Sequence, residues 1–552
     1  MIPSRRGPRA RMSFAPAIAI AFATAFAFTL AAGPAPAAGA TIPPGTVLDA
    51  RQEMVRNTGF EPETLDPSLA QTTGSFALLR DLFEGLTAID GHDQVVPGVA
   101  QSWQRTDATT WVFKLRPNAL WSNGQPVTAD DFVYSWRRYL DPKTAATMAS
   151  TTGVFLLNGA EVLAGKKLPA ALGVRAIDKL TLELKTALPA PFVPELVASP
   201  HFDPLPAATI ARLGKDWIKP GNLVGNGAYA LKDWQVNSRI VLEKNPKYWD
   251  AANVTLTRVT YLPVEDPNAD LKLYQSGEND MMALLPPGSF DALKKQYPLE
   301  VRNGPLLSLR YYALNNTDPL LKDVRVRKAL SMVLDRDILA AKVTADGQAP
   351  AYGLMVKGVA GADVVAYDWA AWPMARRVDE ARKLLAAAGV KPGTRLRFTY
   401  NTSEYHKKVA LFTAAEWKSK LGLETDIDNL EFKVLVRKRQ DGDFQIARDG
   451  WTVFVNDPTI LLTLVRCGSL ANDDKSCNPH VDELVREGEA TVDPVRRKAL
   501  MTQAARVAMD DYPMIPLLQY STPRMVKPYV GGYDESNAQD VHRSKDFFIL
   551  KH

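Results

Sequence analysis

Strands and helices alternate in the sequence from about Tyr311 onward, and this alternation limits the possible folds more than any other feature. The pattern of apolar residues predicts strands at residues 395–400 and 514–520. The predicted helices span residues 323–334, 379–388, 406–421 and 493–511. Strands interleaved with helices are typical of an α/β domain whose sheet is mixed or largely parallel. The pattern therefore predicts an α/β fold class.

Capping residues mark the ends of several of these helices. Asp323 can cap the first of them, and Asp493 followed by Pro494 marks the start of the last. Gly389 and Gly422 stand at the ends of two other predicted helices. Helices commonly end at a glycine in the left-handed conformation. The capping residues therefore predict where each of these helices starts or ends.

The preceding part of the chain contains the same kinds of signal. Residues 110–116 alternate, with large apolar side chains on one face, which predicts a half-buried strand. Thr128 is placed to cap the next helix, and Asp131 completes a capping box. Further strands are predicted at residues 179–186 and 239–244. The sequence shows no internal repeat, heptad pattern or low-complexity linker, so we expect closely packed domains.

The first forty residues have the three-part pattern of a secretory signal peptide. Four arginines and no acidic residue precede an uncharged apolar run at residues 14–30, and Ala38 and Ala40 follow with the spacing of a cleavage site. A membrane anchor is the alternative interpretation, but seventeen residues are at the lower limit for a span. We expect removal of residues 1–40 and a soluble secreted protein. No cysteine lies near this site, so nothing in the sequence indicates a lipid anchor.

Removal of this segment changes the charge of the chain. The full sequence has a formal net charge of +5, and loss of the four arginines leaves about +1. A nearly neutral chain lacks the electrostatic footprint of a nucleic-acid-binding protein. With 46% hydrophobic and 23% charged residues, it has the composition of an ordinary globular protein.

The two cysteines lie close together in the segment LVRCGSLANDDKSCNPHVDEL. In an oxidising compartment, Cys467 and Cys477 are expected to form one disulfide that closes a short polar loop. A metal site is the alternative, with Cys477, His480 and either Asp473 or Asp474 as ligands. The spacing matches no common zinc pattern, which favours the disulfide.

Motifs that carry common enzyme chemistry are absent from the sequence. No G-x-S-x-G, H-E-x-x-H or G-x-x-x-x-G-K-[ST] occurs, and the six histidines are scattered. Residues 225–230 fit G-x-G-x-x-A, but a Pro-Gly loop precedes them and a strand-like run follows, where a dinucleotide site needs a strand and then a helix. We interpret them as a turn, and we expect no cofactor, no metal and no catalytic residue.

Residues 445–458, QIARDGWTVFVNDP, have the pattern of a buried strand that ends in a turn. Arg448, Asp449 and Trp451 place a cation, an anion and a large aromatic ring within four residues, which suits a pocket for a polar ligand. The alternative is a surface loop whose tryptophan fills the core.

Long blocks in the sequence resemble one protein family, and they follow in order through nearly everything after residue 50. They read LRDLFEGLTAIDGHDQVVPGVAQSW, WSNGQPVTADDFVYSWRRYLDP, NGAYALKDWQVNSRIVLEKNPKYW, KDVRVRKALSMVLDRDI, FTYNTSEYHKK and MVKPYVGGY, with the ending ILKH. These blocks resemble the family 5 solute-binding proteins, the periplasmic oligopeptide-binding proteins of peptide ABC importers. Long matches in a fixed order are far more specific than any short motif.

The resemblance implies a periplasmic solute-binding fold in which two lobes close on a cleft. Domain I would consist of residues 41–83, 208–306 and 522–552, domain II of residues 84–207 and domain III of residues 307–521. The implied function is capture of an oligopeptide for an inner-membrane ABC permease, without catalysis. The implied partners are this ligand and the permease, for a monomer that binds no nucleic acid.

The resemblance also assigns ligand-binding residues. Arg439 in KRQDG, Arg448 in ARDGW and His406 in SEYHKK match the family's groups for the carboxylate at the C-terminus of the peptide. An arginine offers that carboxylate a bidentate fork, and His406 would act as an imidazolium or through water. Gly450 and Trp451 match the residues that pair with the ligand backbone and wall a side-chain pocket. Without the resemblance, His406 and Arg439 read as surface residues.

Several positions depart from the family pattern. Phe432 stands where a tryptophan is usual, and Gln71 where the family often has glutamate. Phe454 replaces the aspartate that holds the α-ammonium group of the peptide, and Asp457 is no substitute because it belongs to a turn that the family also has. Asp449, an acid where alanine is usual, is the remaining candidate for the amine.

The replacement of the ammonium anchor has an energetic consequence. Loss of one partner of a desolvated ion pair costs about 2–5 kcal/mol, which corresponds to roughly 30-fold or more in affinity. A peptide with a free amine is therefore expected to bind poorly, whereas a blocked, modified or cell-wall-derived N-terminus would be accepted. A non-peptide amphipathic solute is the alternative ligand class.

Overall fold

The strands of the protein form three larger sheets and two short ribbons. A computed structural model describes residues 42–552, and the predicted signal peptide lies outside the described residues. The strands are β1 (Glu53–Asn57), β2 (Thr87–Ile89), β3 (Val95–Pro97), β4 (Ala100–Arg105), β5 (Thr110–Leu115), β6 (Val174–Asp178), β7 (Thr181–Lys185), β8 (Tyr229–Gln235), β9 (Arg239–Lys244), β10 (Arg258–Leu262), β11 (Val301–Leu314), β12 (Ala349–Pro350), β13 (Arg395–Asn401), β14 (Glu424–Leu430), β15 (Ile446–Thr452), β16 (Met514–Met525), β17 (Val530–Gly531) and β18 (Phe548–Ile549).

The helices pack on these sheets and connect them. They are α1 (Thr73–Leu82), α2 (Ala129–Leu140), α3 (Ala149–Thr152), α4 (Gly159–Leu163), α5 (Val193–Leu196), α6 (Ala207–Leu213), α7 (Pro267–Ser276), α8 (Phe290–Gln296), α9 (Val324–Met332), α10 (Arg336–Ile338), α11 (Met374–Ala387), α12 (Glu404–Leu421), α13 (Phe432–Asp441), α14 (Pro458–Leu462), α15 (Pro479–Ala490) and α16 (Pro494–Asp510). Within residues 42–552, no helix combines the length and the apolar character that crossing a membrane requires.

The predicted elements are present, with differences at their ends. The predicted capping box of Thr128 and Asp131 starts α2, and Asp323 caps α9. Helix α11 begins five residues before the predicted start at Asp379. Its first turn has no capping side chain, so the sequence carries no start signal there. The early turn is held instead by Arg377, whose guanidinium group donates to backbone carbonyl groups of the preceding turn.

Each of the three larger sheets lies mostly within one segment of the chain. The strand orders are β1-β10-β9-β8, β4-β5-β7-β6 and β12-β16-β11-β15-β13-β14, and β2-β3 and β17-β18 form the ribbons. The six-stranded sheet is mixed, because β13 is parallel to β14 and β15 whereas β11 is antiparallel to β15 and β16. This arrangement confirms the predicted α/β class.

Two long strands connect the six-stranded sheet to the rest of the protein. β11 and β16 pair from Val301 with Met525 to Ala313 with Met514, and their register shifts between Pro305 and Leu309. The ladder therefore crosses both predicted boundaries between domains I and III. A register shift of this kind bends a strand pair locally, and here it lies at the crossing point.

Residues 225–228 form an irregular bend, and residues 229–230 already belong to β8. Gly225 and Gly227 lie against the backbone of Asp81 and Leu82 at the end of α1, where a β-carbon would collide with a carbonyl oxygen. Strand β8 follows directly at Tyr229, so no helix is present to bind a phosphate. The glycines allow a close approach of two backbone segments.

Candidate ligand-binding site

Strand β15 has a free edge along most of its length. It pairs with β11 from Ile446 to Thr452, whereas its pairing with β13 ends at Ala447. The N–H of Val453 donates to Leu307 on β11 over 2.7 Å. Because backbone groups alternate in direction along an antiparallel strand, those of Gly450 point away from β11 towards the free edge. An extended chain can add to such an edge as a further strand.

Side chains of β15 alternate between the two faces of the sheet. Arg448 and Gly450 share one face with Arg310 of β11, which lies opposite Gly450. Asp449 and Trp451 therefore lie on the other face. The three predicted side chains therefore do not share one face, because neighbouring residues of a strand point in opposite directions.

A group of positive side chains covers the Arg448 face. We define the basic cluster as Arg310, Arg448 and His406 together with Tyr405 and Tyr520, where His406 and Tyr405 come from the first turn of α12. Nε of Arg310 donates to the Tyr520 hydroxyl group over 3.0 Å, and its guanidinium group stacks 4.1 Å from the centre of the Tyr405 ring. A β-carbon on Gly450 would lie 3.9 Å from Nη2 of Arg448, so the glycine leaves room beside the cluster.

The basic cluster contains polar atoms that lack partners. Nη1 of Arg310, Nε of Arg448 and Nδ1 of His406 are buried without a hydrogen bond. None of the ion pairs within residues 42–552 involves Arg310 or Arg448. Buried groups of this kind are costly unless a partner satisfies them. The cluster is therefore complementary to an anion that the protein itself does not supply.

Electrostatics decide the charge of His406 in this setting. Burial, followed by the charges of Arg448 and Arg310, lowers the pKa of His406 from 6.5 to about 3. The imidazole is therefore neutral at neutral pH, where the imidazolium form is not populated. Burial also lowers the pKa of Arg448, but a guanidinium group stays charged. The positive charge of the cluster comes from its two arginines.

Arg439 lies apart from this cluster and has counter-ions of its own. It forms an ion pair with Asp449, and its Nε lies 3.4 Å from a carboxylate oxygen of Asp473. Asp449 also accepts hydrogen bonds from the hydroxyl group of Tyr311, over 2.7 Å, and from the N–H of Gly450, over 2.8 Å. The sequence placed Arg439 at the ligand carboxylate and Asp449 at the ligand amine. The structure instead pairs the two charges with each other.

The disulfide positions part of this internal network. Cys467 and Cys477 are bonded, as predicted, and close the loop that carries Asp473 and Asp474. Asp474 accepts from the N–H of Leu314 over 3.0 Å, which fastens the loop to the end of β11. The alternative metal site is thereby wrong, because its sulfur ligand is consumed. No group of metal-ligating side chains occurs in the part of the chain that the structure describes.

Phe454 lies in an aromatic cluster after the end of β15. Its ring centre is 6.4 Å from that of Phe155, which in turn lies 5.2 Å from Phe192. Asp457 caps α14 and forms a 2.8 Å ion pair with Arg497, so its charge is already neutralised. Phe454 thus has aromatic neighbours, and the carboxylate of the nearby Asp457 is already paired.

The remaining predicted residues lie outside the basic cluster. Phe432 begins α13 and is 52% exposed, and Gln71 is exposed just before α1. Trp451 is half-buried, and its Nε1 has no hydrogen-bond partner. Within residues 42–552, no hydrogen bond, ion pair or ring contact joins Phe432 or Gln71 to Arg448.

Sequence reasoning missed three residues of the basic cluster, Arg310, Tyr405 and Tyr520. Arg310 is the single charged residue in LLSLRYYAL, an apolar run that forms the centre of β11. A lone charge in a buried strand is unusual and marks a functional candidate. Tyr520 carries no comparable signal, because a tyrosine in a strand is ordinary.

Solved structures of similar proteins show the same fold. OppA of Burkholderia pseudomallei is 48% identical, with 91% of this chain and 100% of that chain covered and a TM-score of 0.72. The unliganded open form of the murein tripeptide binding protein MppA is 37% identical, with 92% and 99% covered and a TM-score of 0.87. A second structure, of Escherichia coli MppA, is also 37% identical, with 92% and 100% covered, but its TM-score is 0.72. The present structure therefore superposes better on the unliganded open form of MppA than on this second structure.

Curated relatives cover almost the whole chain. The periplasmic oligopeptide-binding protein OppA of Escherichia coli strain K12 is 42% identical over 521 residues, which cover 94% of this chain and 96% of OppA. The probable deoxycholate-binding periplasmic protein YgiS of the same strain is 36% identical over 522 residues, which cover 94% and 97%. The family model for the bacterial extracellular solute-binding proteins, family 5 Middle, matches residues 94–471. The chain therefore belongs to the family 5 bacterial extracellular solute-binding proteins.

Proposed function

We propose that the protein captures peptides or peptide-like compounds in the periplasm and delivers them to an ABC permease of the inner membrane. One observation carries the proposal: the free edge of β15 runs directly beside the basic cluster. The edge offers hydrogen bonds to an extended backbone, and the cluster offers positive charge to a carboxylate. A peptide has both groups, and the similarity to OppA favours the same ligand class.

Binding begins with addition of the ligand as a strand beside β15. The outward backbone groups of Gly450 would pair with the ligand, which requires its N–H to exchange the 2.8 Å bond to Asp449 for a ligand carbonyl group. The terminal carboxylate would then meet Arg448, the neutral imidazole of His406 and the hydroxyl group of Tyr520. Backbone pairing of this kind is independent of side-chain identity, so affinity for many sequences is expected.

Closure of two lobes would complete the site. We assign domain I to residues 41–83, 208–306 and 522–552, domain II to residues 84–207 and domain III to residues 307–521. The bent crossing of β11 and β16 near Pro305 and Leu309 is the proposed hinge between domains I and III. Agreement with an open, unliganded relative supports an open resting state. A ligand that contacts both lobes only in the closed state shifts this equilibrium, and the permease would recognise the closed form.

The apolar surroundings of Phe454 determine which N-terminus is accepted. A free ammonium group would lose its hydration next to Phe454 and Phe155 without gaining a carboxylate. Ligands with an acylated, modified or unusually linked N-terminus, including cell-wall peptides, are therefore favoured.

The same aromatic cluster supports a second candidate function. An amphipathic non-peptide acid would place its apolar body near Phe454 and Phe192 and its carboxylate at Arg448. The similarity to YgiS, which is named as a probable deoxycholate-binding protein, favours this alternative. Neither function includes catalysis, and both require only a monomer and a signal peptide at residues 1–40.

A competition between ligand classes tests the proposal. The purified protein is incubated with a pool of N-acetylated and free-amino tri- to pentapeptides and bile acids, and the retained compounds are identified by mass spectrometry. We expect N-acetylated peptides to be retained, and loss of their retention in Arg448→Met. The matched control is Arg325→Met, because Arg325 lies at the exposed start of α9. Retention of bile acids without peptides would establish the second function. Hydrolysis of the peptides would show that the protein is an enzyme.

A further inference from the structure

Arg310 places a second buried positive charge behind Arg448. It is 3% exposed and lies on β11 directly opposite Gly450. Its guanidinium group is held between two rings, 4.1 Å from the centre of Tyr405 and 4.7 Å from that of Tyr520. Ring faces stabilise a cation but do not neutralise it. Within the described residues, Arg310 has no carboxylate partner.

Tyr520 connects this buried charge to the ligand side of the cluster. Its hydroxyl oxygen accepts from Nε and Nη2 of Arg310, and the positive charges of Arg310 and Arg448 both face it. A phenol oxygen that accepts from a guanidinium group keeps its own O–H available as a donor. No acceptor for this proton is present among the hydrogen bonds of residues 42–552. Arg310 therefore orients Tyr520 as a donor towards an incoming anion.

The charge balance of the cluster exceeds what one carboxylate supplies. Two guanidinium groups contribute two positive charges, His406 is neutral, and Asp449 is occupied on the opposite face by Arg439. A single terminal carboxylate would leave one positive charge uncompensated in a buried setting, which is unfavourable. Two negative charges would balance the site.

We propose that the protein selects ligands whose C-terminal end carries a second carboxylate beside the terminal one, and that Arg310 is the residue that sets this preference. The inference rests on the proposed function, since it assigns a ligand class to the same site. Arg310 acts as a positioning residue, because its low exposure excludes extensive direct contact in the open form. It works through the field that it adds behind Arg448 and through the hydrogen-bonded Tyr520.

Peptides that end in glutamate or in glutamine have nearly the same shape and differ in one negative charge, so they isolate the effect of a second carboxylate. Affinities are measured by isothermal titration for N-acetylated tri-, tetra- and pentapeptides of alanine that end in glutamate or in glutamine, in a buffer without phosphate or carboxylates. At the preferred length, we expect the glutamate peptide to bind about 10-fold more tightly, as is typical of one added charge interaction in a partly desolvated site. We expect this ratio to fall to about 1 in Arg310→Gln, to be largely kept in Arg310→Lys, and to shrink with added NaCl.

The outcomes separate this inference from the proposed function. Equal binding of the two peptides by the wild-type protein, or a ratio that persists in folded Arg310→Gln, overturns the inference and leaves the function intact. Absence of binding for all peptides overturns both. If Arg310→Gln does not unfold cooperatively, the inference is judged from the wild-type protein and Arg310→Lys. In that case the affinity ratio of the glutamate and glutamine peptides in these two proteins decides. A gain in affinity of the glutamine peptide on addition of acetate would show that a free anion fills the second position, which overturns the assignment to the ligand. Arg325→Gln is the matched control and is expected to keep the wild-type ratio.

Discussion

Arg439 and Asp449 form a buried ion pair that crosses from α13 to β15, and both side chains are less than 10% exposed. The pair fixes the strand that carries Arg448, because Nη1 of Arg439 also lies 3.4 Å from the carbonyl oxygen of Arg448. Its two charges are therefore part of the support for the site, on the face opposite the basic cluster. This placement distinguishes Arg439 from Arg448, although both were predicted to meet the ligand.

Arg439→Met is predicted to lower stability much more than ligand affinity. Removal of one partner leaves the carboxylate of Asp449 buried with fewer counter-charges, which costs about 3–5 kcal/mol. Urea unfolding measures the stability, and titration with the best peptide ligand measures the affinity of the folded protein. We expect the affinity to change by less than about 3-fold, since the guanidinium group of Arg439 is already paired with Asp449 and Asp473.

An exposed pair on the same sheet provides the control for this substitution. Arg395 and Asp426 pair between β13 and β14 with 65% and 50% of their side chains exposed. Arg395→Met should cost about 0–1 kcal/mol, as exposed ion pairs typically do. A loss of ligand affinity in Arg439→Met of the size found for Arg448→Met would restore Arg439 to the ligand site.

Removal of the Tyr520 hydroxyl group is predicted to weaken both stability and binding. In Tyr520→Phe, Nε of Arg310 loses its 3.0 Å acceptor inside the protein, which costs about 1–3 kcal/mol. The ligand carboxylate also loses a donor, so the affinity for peptides should fall at least about 5-fold. Thermal unfolding and calorimetric titration measure the two effects.

Tyr529→Phe is the matched control for this loss of a hydroxyl group. Tyr529 donates to Asp280 over 2.6 Å in the C-terminal segment, away from β15. Its substitution should lower stability by a similar amount without changing affinity. Unchanged peptide affinity in Tyr520→Phe would remove Tyr520 from the proposed carboxylate site.

Two carboxyl groups where the predicted domains meet make the stability of the protein dependent on pH. Burial, together with the nearby charges of Asp93 and Asp457, raises the pKa of Glu195 from 4.5 to about 7, and burial raises that of Asp93 from 3.8 to about 6. Because the folded state holds these protons more tightly than the unfolded state, stability falls as the pH rises through this interval. For Glu195 the loss begins near pH 4.5, is complete above pH 7 and amounts to about 1–3 kcal/mol.

The substitution Glu195→Gln tests this pH dependence. Glutamine keeps a hydrogen-bonding group opposite Gln539, whose Nε2 lies 2.6 Å from the carboxylate, but it cannot ionise. The midpoint of urea unfolding should therefore vary less between pH 4.5 and 7 than in the wild-type protein. Glu404→Gln, at the exposed start of α12, is the control. An unchanged slope in Glu195→Gln would assign the pH dependence to other groups.

The sequence predicted those features that depend on local patterns. The α/β class, the caps of α2 and α9, and the disulfide follow from periodicity, capping chemistry and cysteine spacing, and each is present. The resemblance indicated residues 445–458, which contain β15, as the candidate site. The pairing of Arg439 with Asp449 and the position of Arg310 were not accessible, because they depend on which strands lie side by side. The register that brings Arg310 opposite Gly450 joins residues about 140 positions apart.

An acid at position 454 is predicted to change the ligand preference from N-acetylated peptides to peptides with a free amine. In Phe454→Asp, a carboxylate would replace a ring that lies 6.4 Å from Phe155, and a ligand ammonium group would gain a counter-charge in a partly desolvated position. The affinity for free-amino peptides should rise about 10-fold or more, whereas that for the N-acetylated forms should fall. Paired titrations with free and acetylated versions of one peptide measure both changes.

The uncharged variant Phe454→Asn separates charge from size in this experiment. It removes the ring and opens the same space, but it offers no counter-charge, so it should not raise the affinity for free-amino peptides. Both variants lose contacts with Phe155 and should be less stable than the wild-type protein by about 1–4 kcal/mol. If Phe454→Asp behaves like Phe454→Asn in the titrations, then position 454 does not face the ligand's amine, and the apolar N-terminal site must be sought elsewhere along the cleft.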